Sequence, residues 1–468
     1  MISAAGTLWD RTNQFAKRNW ASLTCGIILE LGFALFLLLT NANNWTSLPG
    51  LFFVLFLIYL FTIWWARKRI PHDSEGLLVI LIFAVAFRLT LLFSGPVFSF
   101  DMYRYIWDGK VAASGVNPYL YPPEAPELSS LRDANWELIN HKYIRTGYPP
   151  LMEILFEALY LAFRSVFSYK ITFFLFDLAT IATICLILKQ LKLGLRNTMV
   201  YAWAPLPIIE ISQTGHNDSV AVFLVLLSFL LLLCDRHYSS AGVMALAVVT
   251  KLYPIFFAPV LFRRWGKWGT TIFLALTFVF HVPYAGIGLN IFTGLLYVIN
   301  TAYFNGSVFP LITSFAEWTD LTSNPGFVAQ IIVYAIYVSL LLWTLSKSIR
   351  GKIASVDLMK TTFLLTGATL LLNRSFFSWY LVWMTPFLAF YSSLSWLFLS
   401  GTIFLGYMKY NAFPPPPFEG VSPETALVID LVQYVPFYVI LAYELLKHRI
   451  RLNSPTASVD PASTRKTE

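Results

Sequence analysis

Apolar runs of about 17 to 22 residues recur along almost the whole chain, and nothing else in it constrains the fold as strongly. Each run can cross a hydrocarbon core of about 30 Å at about 1.5 Å per residue of helix. Backbone groups facing lipid must bond within their own segment, so helix is the economical reading. Strands of a membrane barrel would alternate in polarity over about ten residues, and these runs do not alternate. Only 12% of the 468 residues are charged, against roughly a quarter in a soluble domain. The expected fold class is all-α: a polytopic membrane protein with about 12–14 transmembrane helices.

Candidate spans lie at 22–41, 49–66, 76–95, 149–167, 171–190, 197–213, 217–234, 240–262, 268–286, 328–346, 354–372, 376–391, 394–409 and 425–446. They form one transmembrane unit over 1–446, with 96–148 as a large external loop carrying interfacial helices. The Ser-, Thr- and Pro-rich stretch 447–468 reads as a disordered cytoplasmic tail. The first run, from near Leu23, is expected to stay in the membrane as a signal anchor. Cys25, Cys185 and Cys234 all lie in apolar segments. They show neither a disulfide framework nor metal-ligand spacing.

The net charge of +8 does not point to nucleic acid, because Lys and Arg sit in short clusters between apolar runs. Positive clusters mark the cytoplasmic side. Lys17 and Arg18, then Arg67, Lys68 and Arg69, put the N-terminus inside and loop 96–148 outside. Lys447, His448, Arg449 and Arg451 put the C-terminus inside, and Lys347, Arg350 and Lys352 follow. Loops 287–327, 373–375 and 410–424 are then external. The middle does not count cleanly. If every run crosses, Lys189, Lys192 and Arg196 fall outside, against the rule. One escape is that Lys251, Tyr253 and Pro254 break 240–262 into two half-helices that enter and return.

Loop 96–148 carries the densest charge of any external segment. From Asp101 it reads as a surface helix ended by Gly115, Asn117 and Pro118. Asp101, Arg104, Tyr105 and Asp108 fall at i, i+3, i+4 and i+7, on one face. An ordinary interfacial helix with an Asp–Arg pair would also fit. The functional reading is a carboxylate base within reach of a membrane-bound substrate. Further polar groups stand out at Gly215-His216-Asn217-Asp218, Lys251, Asn300-to-Gly306 and Asn373-to-Tyr380. Each alone could be a solvated loop, but polar groups at membrane depth are costly and mark sites. Glu30, Asp177 and Glu210 are intramembrane acids expected to serve as structural hydrogen-bonding groups. Fifteen Trp, 24 Tyr and 41 Phe suit membrane interfaces and also sites for sugars or isoprenoid chains.

Several strings occur in order: Asp101-x-x-Arg104-Tyr105-x-Trp107-Asp108-Gly109, Gly115-x-Asn117-Pro118-Tyr119 and Tyr148-Pro149-Pro150. They are followed by Gly215-His216-Asn217-Asp218, Lys251-x-Tyr253-Pro254 and Ser378-Trp379-Tyr380-x-x-Trp383. Over about residues 75–395 this resembles the GT-C-type glycosyltransferases, in their bacterial and archaeal mannosyltransferase-like branch. The resemblance implies transfer of a sugar, with mannose favoured, from a polyprenyl-phosphate carrier to a lipid, glycan or protein acceptor. The reaction would be inverting and on the non-cytoplasmic face of the plasma membrane. Asp101 would be the general base, with Asp108 as the second catalytic carboxylate. Arg104, Tyr105, Trp107, Asn117, Tyr148, His216, Asn217, Asp218, Lys251, Tyr253, Asn305, Arg374, Trp379 and Tyr380 would bind substrate. Arg374 would hold the phosphate, supported by Lys251, because a guanidinium fork fits phosphate better than a point charge. No cofactor is expected; a divalent metal stays open as an alternative that no sequence motif indicates. Partners would be the lipid-linked donor, the acceptor and membrane lipid, with no nucleic acid. The competing reading is a transporter or flippase for a lipid-linked or small substrate, which would share broken helices and intramembrane charges. It leaves the charged external loop unexplained.

Overall fold

The computed structural model describes residues 2–70, 74–320, 322–350, 355–409, 421–447 and 450–453. The expected disordered tail beyond Asn453, most of loop 410–424, and Lys352, His448 and Arg449 lie outside the described residues. Almost everything described is helix, relieved by one two-residue antiparallel pairing of Tyr391–Ser392 with Arg451–Leu452. Seven helical segments among the described residues are long and apolar enough to cross a membrane, and the protein is membrane-integral.

The chain opens with α1 (Ile2–Asn41), α2 (Leu48–Phe61) and α3 (Ser74–Leu92). Loop 96–148 follows with α4 (Asp101–Ala113) and the short α5 (Ala134–Glu137). Then come α6 (Pro150–Phe163) and α7 (Val166–Gln190), the latter capped by Ser165, whose side chain accepts from the Ser168 amide. The expected span 197–213 is not one helix. Pro205 and Pro207 break it into α8 (Met199–Ala202), α9 (Pro205–Pro207) and a wide turn over Ile208–Gln213, because proline removes a donor and clashes with the preceding turn. Next are α10 (Asp218–Leu233), α11 (His237–Val248) and α12 (Ala258–Val279). The expected break in 240–262 is present: α11 stops before Lys251, and a tight turn spans Tyr253–Phe257. α12 itself kinks at Gly266, whose φ of 64° is left-handed. The remainder comprises α13 (Thr293–Thr301), α14 (Val308–Trp318), α15 (Pro325–Arg350), α16 (Ser355–Leu372), α17 (Leu394–Thr402) and α18 (Pro423–Leu446). The expected span 376–391 is instead two tight-helical turns, Ser378–Trp383 and Thr385–Ala389, and 394–409 loosens after Thr402.

The segment Val282–Thr301 has a span's length, yet it lies along loop 96–148. Gly294 packs on the Arg145 and Thr146 carbonyls, Tyr284 meets Tyr119 at 5.1 Å, and Tyr297 meets Tyr143 at 6.2 Å. Its kink at Gly288 fits a surface segment better than a crossing.

The basic residues that broke the count are explained by α6. At 14 residues it is about 21 Å long, too short to span. It starts beside Tyr148, which packs against Tyr105 of α4. It ends where α7 begins, and Lys170 in that first stretch of α7 donates to the Ser94 carbonyl at the close of α3. α6 therefore leaves and returns at one end of the bundle, correcting the span expected at 149–167. α7 then runs to the opposite end, where Gln190 donates to the Leu233 carbonyl and Arg196 lies within electrostatic range of Arg67. Arg18 pairs with Glu75, and Arg263 donates to the Ile349 carbonyl. Basic clusters thus gather at one end, and loop 96–148 closes the other.

Between the ends, Arg88 pairs with Asp177 at 2.5 Å, both side chains fully buried, and Tyr201 donates to the same carboxylate. Glu30 accepts from Thr90. Both acids have the structural role expected of them.

Candidate functional site

Two walls make the site. The first is α4, which lies flat on α6 because residue 109 is glycine. A Cβ there would stand 2.3 Å from the Phe156 carbonyl oxygen and 2.7 Å from the Tyr169 hydroxyl. The face expected from spacing is real. Arg104 Nε donates to both Asp108 oxygens at 2.8 and 2.9 Å, and Arg104 Nη1 donates to the Ile144 carbonyl. Burial pushes the Asp108 carboxyl up, opposed by Arg104. Asp101, at the first turn of α4, differs. Among the described residues no side chain bonds or pairs with its carboxylate. It faces four tyrosines within electrostatic range: Tyr105, Tyr148, Tyr380 and Tyr407. Burial first, then the neighbouring charges, pushes the Tyr148 phenol well above its ordinary value, so it stays protonated.

The second wall is the turn Gly215–Asp218. Gly215 takes a φ of 83°, and a Cβ on it would lie 2.1 Å from Met102 Cε, so the turn is seated on the residue that follows Asp101. His216 stacks on Trp379 at 4.3 Å, and Trp379 stacks on Phe377 at 4.3 Å. His216 Nδ1 is 3.0 Å from Glu210 Oε2 without hydrogen-bond alignment, and Tyr407 donates to both Glu210 oxygens. Asp218 accepts from Trp383 Nε1 at 2.5 Å and pairs with Lys251 at 2.8 Å. Lys251 also reaches Asn217 Oδ1 at 3.3 Å. Tyr253 stacks on Trp383 at 4.1 Å, and Lys251 lies over the Tyr380 and Trp383 rings.

Buried polar atoms without a partner concentrate here: His216 Nε2, Asn217 Nδ2 and Asp218 Oδ2. Each residue is about 1% exposed. Buried donors and acceptors are normally satisfied, and an exception calls for a reason such as a ligand. A carboxylate, an amide, an imidazole and flat aromatic rings together suit a sugar, whose hydroxyls need hydrogen bonds and whose C–H faces stack.

The structure brings together Asp101, Tyr105, Tyr148, His216, Asn217, Asp218, Lys251, Tyr253, Trp379 and Tyr380. It places others outside the two walls. Trp107 is buried in the loop's own small core with Val111, Leu128 and Ile139. Asn117 accepts from the Tyr119 amide and shapes its own turn. Asn305 is engaged by Gln433 and Lys409, and Lys409 pairs with Asp430. Arg374 donates to the Asn300 carbonyl and covers the Phe309 ring at 4.7 Å, while its Nε has no partner. Lys251's partner is Asp218, while Asp177 and Glu210 already hold Arg88 and the His216–Tyr407 pair. Glu210, expected to be only structural, sits directly behind His216. Tyr407, Lys170 and Glu153 also border the site. Glu153 is fully buried and accepts from Thr146 at 2.6 Å. Among the described residues no group of three or more His, Cys, Asp or Glu is placed to hold a metal ion.

No curated protein and no solved structure matches the chain significantly. One family does. Residues 21–267 match the N-terminal domain of the alpha-(1->6)-mannopyranosyltransferases, a stretch holding α4, the Gly215–Asp218 turn and Lys251. More than half the chain lies within this match, and with both walls of the site inside it the protein belongs to the alpha-(1->6)-mannopyranosyltransferase family.

Proposed function

We propose that this membrane mannosyltransferase takes mannose from a polyprenyl-phosphate carrier and transfers it, with inversion, to a hydroxyl of a lipid, glycan or protein acceptor. The observation that carries the reading is the Asp101 carboxylate. It is unpaired among the described residues and held at a helix N-terminus, next to Met102, which packs on the turn carrying the unpartnered His216, Asn217 and Asp218 atoms. In the step, Asp101 accepts the acceptor's hydroxyl proton as that oxygen bonds to the anomeric carbon. The carbon–oxygen bond to phosphate breaks, and the phosphate leaves with the electron pair. No glycine-rich nucleotide loop on a strand–helix unit occurs in the chain, which favours a lipid carrier over a nucleotide sugar. The test is transfer of radiolabelled mannose from synthetic polyprenyl-phosphate mannose by purified protein, beside a nucleotide-mannose control. Turnover with the nucleotide donor alone would overturn the reading.

The site end of the bundle is the non-cytoplasmic one in this proposal, and the membrane is the plasma membrane. With α6 returning to its own side, Lys189, Lys192 and Arg196 join Arg67 at the opposite end, as the positive-inside rule asks. A cysteine at Glu127, on a Cys234→Ser background, should react with an impermeant thiol reagent in intact cells, and one at Lys192 should not. The reverse pattern would invert the topology and move the active side.

Arg374 and Lys251 are assigned to the donor phosphate. Phe377 and Trp379 stand close to Arg374 in sequence and offer apolar surface to an isoprenoid chain. Lys251 already shares its charge with Asp218, so its part is support. Arg374→Gln should weaken polyprenyl-phosphate binding by on the order of tenfold. Lys251→Gln should do less directly but leaves Asp218 unpaired. Unchanged affinity in both folded variants would remove the assignment.

A further inference from the structure

Among the described residues, three cations of the bundle interior and the site are each paired with a carboxylate, and Lys170 is not. Arg88 has Asp177, Arg104 has Asp108 and Lys251 has Asp218. Lys170 is 1% exposed, and its ammonium donates only to the Ser94 carbonyl, at 2.5 Å, among the described residues. An ammonium has three protons to place, and a lone backbone carbonyl leaves most of its charge uncompensated. Its position adds to the cost. Lys170 lies in the second turn of α7, near the helix end whose dipole favours anions and opposes cations.

The surroundings are those of the site. Lys170 Cγ is 3.2 Å from where a Cβ on Gly215 would stand, with Met102 Cε on the same point at 2.1 Å. Lys170 therefore backs the Gly215–Asp218 turn, beside the residue that follows Asp101. Gln213 donates to the Gly95 carbonyl and holds the neighbouring Ser94–Gly95 turn in place. At the surface beside this corner, Phe93 of the α3 end and Phe167 of the α7 start stack at 5.4 Å, and they are 72% and 41% exposed.

We infer that Lys170 is a binding residue for the phosphate of the lipid-linked donor, with the first isoprene units lying over Phe93 and Phe167. The inference rests on the polyprenyl-phosphate reading above and adds to it a residue from the bundle interior. The arriving phosphate supplies the anion that Lys170 lacks in the empty protein. Met102, with its flexible thioether chain, can yield space at the point where the two turns meet.

The experiment uses full-length protein in detergent, with wild type, Lys170→Met and Lys170→Arg. Polyprenyl phosphate is the ligand, with inorganic phosphate and phosphatidylglycerol as competing probes. The ligand-free Met variant should melt at or above wild type, since an uncompensated buried charge is gone, yet lose about tenfold or more in polyprenyl-phosphate affinity. The Arg variant should keep most of that affinity. A Met variant that melts earlier, fails to fold, or binds polyprenyl phosphate as wild type does would assign Lys170 to architecture and overturn the inference. Equal binding of phosphatidylglycerol would make this an ordinary lipid contact and overturn it as well. Wild-type transfer from polyprenyl-phosphate mannose is the separate check on the underlying reading. If that transfer is absent while Lys170-dependent binding persists, the donor assignment fails and the anion site stands.

Discussion

Asp101→Asn should lower the rate of mannosyl transfer by roughly 10²–10⁴ while leaving the melting temperature close to wild type. Asn keeps the size of the side chain but cannot take the acceptor's proton. The fold should tolerate it, because no described side chain depends on the Asp101 carboxylate; the Ser99 hydroxyl is bonded to its backbone amide. Tyr105 and Tyr148 do not replace it as bases, since burial first, then the Tyr148 phenol beside Tyr105 and the Asp101 carboxylate beside Tyr148, hold both phenols protonated. Asp108 is the other carboxylate on the face, and it is committed to Arg104 through two hydrogen bonds. Initial rates at saturating donor, set beside thermal melts, separate the two effects. Near-normal turnover in Asp101→Asn would pass the base role to another acid of this end, with Asp218 the first to examine.

The spacing of Asp101, Arg104, Tyr105 and Asp108 was enough to place them on one helix face, because α4 is local and its period is set within two turns. The same residues could not reveal which carboxylate stays free; that depends on Arg104 choosing Asp108. Long apolar runs without an interior proline read correctly in α7 and α15. The run 197–213 failed because Pro205 and Pro207 break it where hydropathy alone sees one segment. α6 failed for a different reason. Hydropathy measures apolarity, while whether a helix crosses depends on where its neighbours start, which only the Lys170–Ser94 and Tyr105–Tyr148 contacts disclose.

Two contacts that complete the site join residues distant in sequence, which spacing alone does not reveal. Glu210 meets Tyr407 across 197 residues, and Asp218 meets Trp383 across 165. A glutamate in an apolar run looks like a structural group until the ring stacked in front of it is known to be His216 on Trp379. Trp107 erred the other way. Its place in the motif suggested substrate, but a large ring on the buried side of α4 is claimed first by the loop's own core with Leu128 and Ile139.

Arg104→Gln should be the most destabilising single change in this end of the protein. Arg104 is the cation for a buried cluster that also holds Asp108 and the fully buried Glu153, and its side chain is only 11% exposed. Removing one partner of a buried pair leaves an uncompensated charge and costs about 3–5 kcal/mol. Asp108 would answer by binding a proton, which sets the sign of the pH dependence. Its carboxyl already lies above the ordinary value through burial, with Arg104 as the main opposing influence. Without Arg104 it moves further up. A carboxyl raised in the folded state gives stability that is present at low pH and lost as pH rises towards its folded value. Acidification should therefore recover part of the Arg104→Gln loss, and adding Asp108→Asn should recover it at neutral pH by removing the stranded charge. Melts of the two singles and the double across pH 5 to 8 give the coupling directly. If Arg104→Gln melts like wild type at every pH, the Arg104–Asp108 pair does not hold α4, and the support of Asp101 must come from the Gly109 contact with α6 instead.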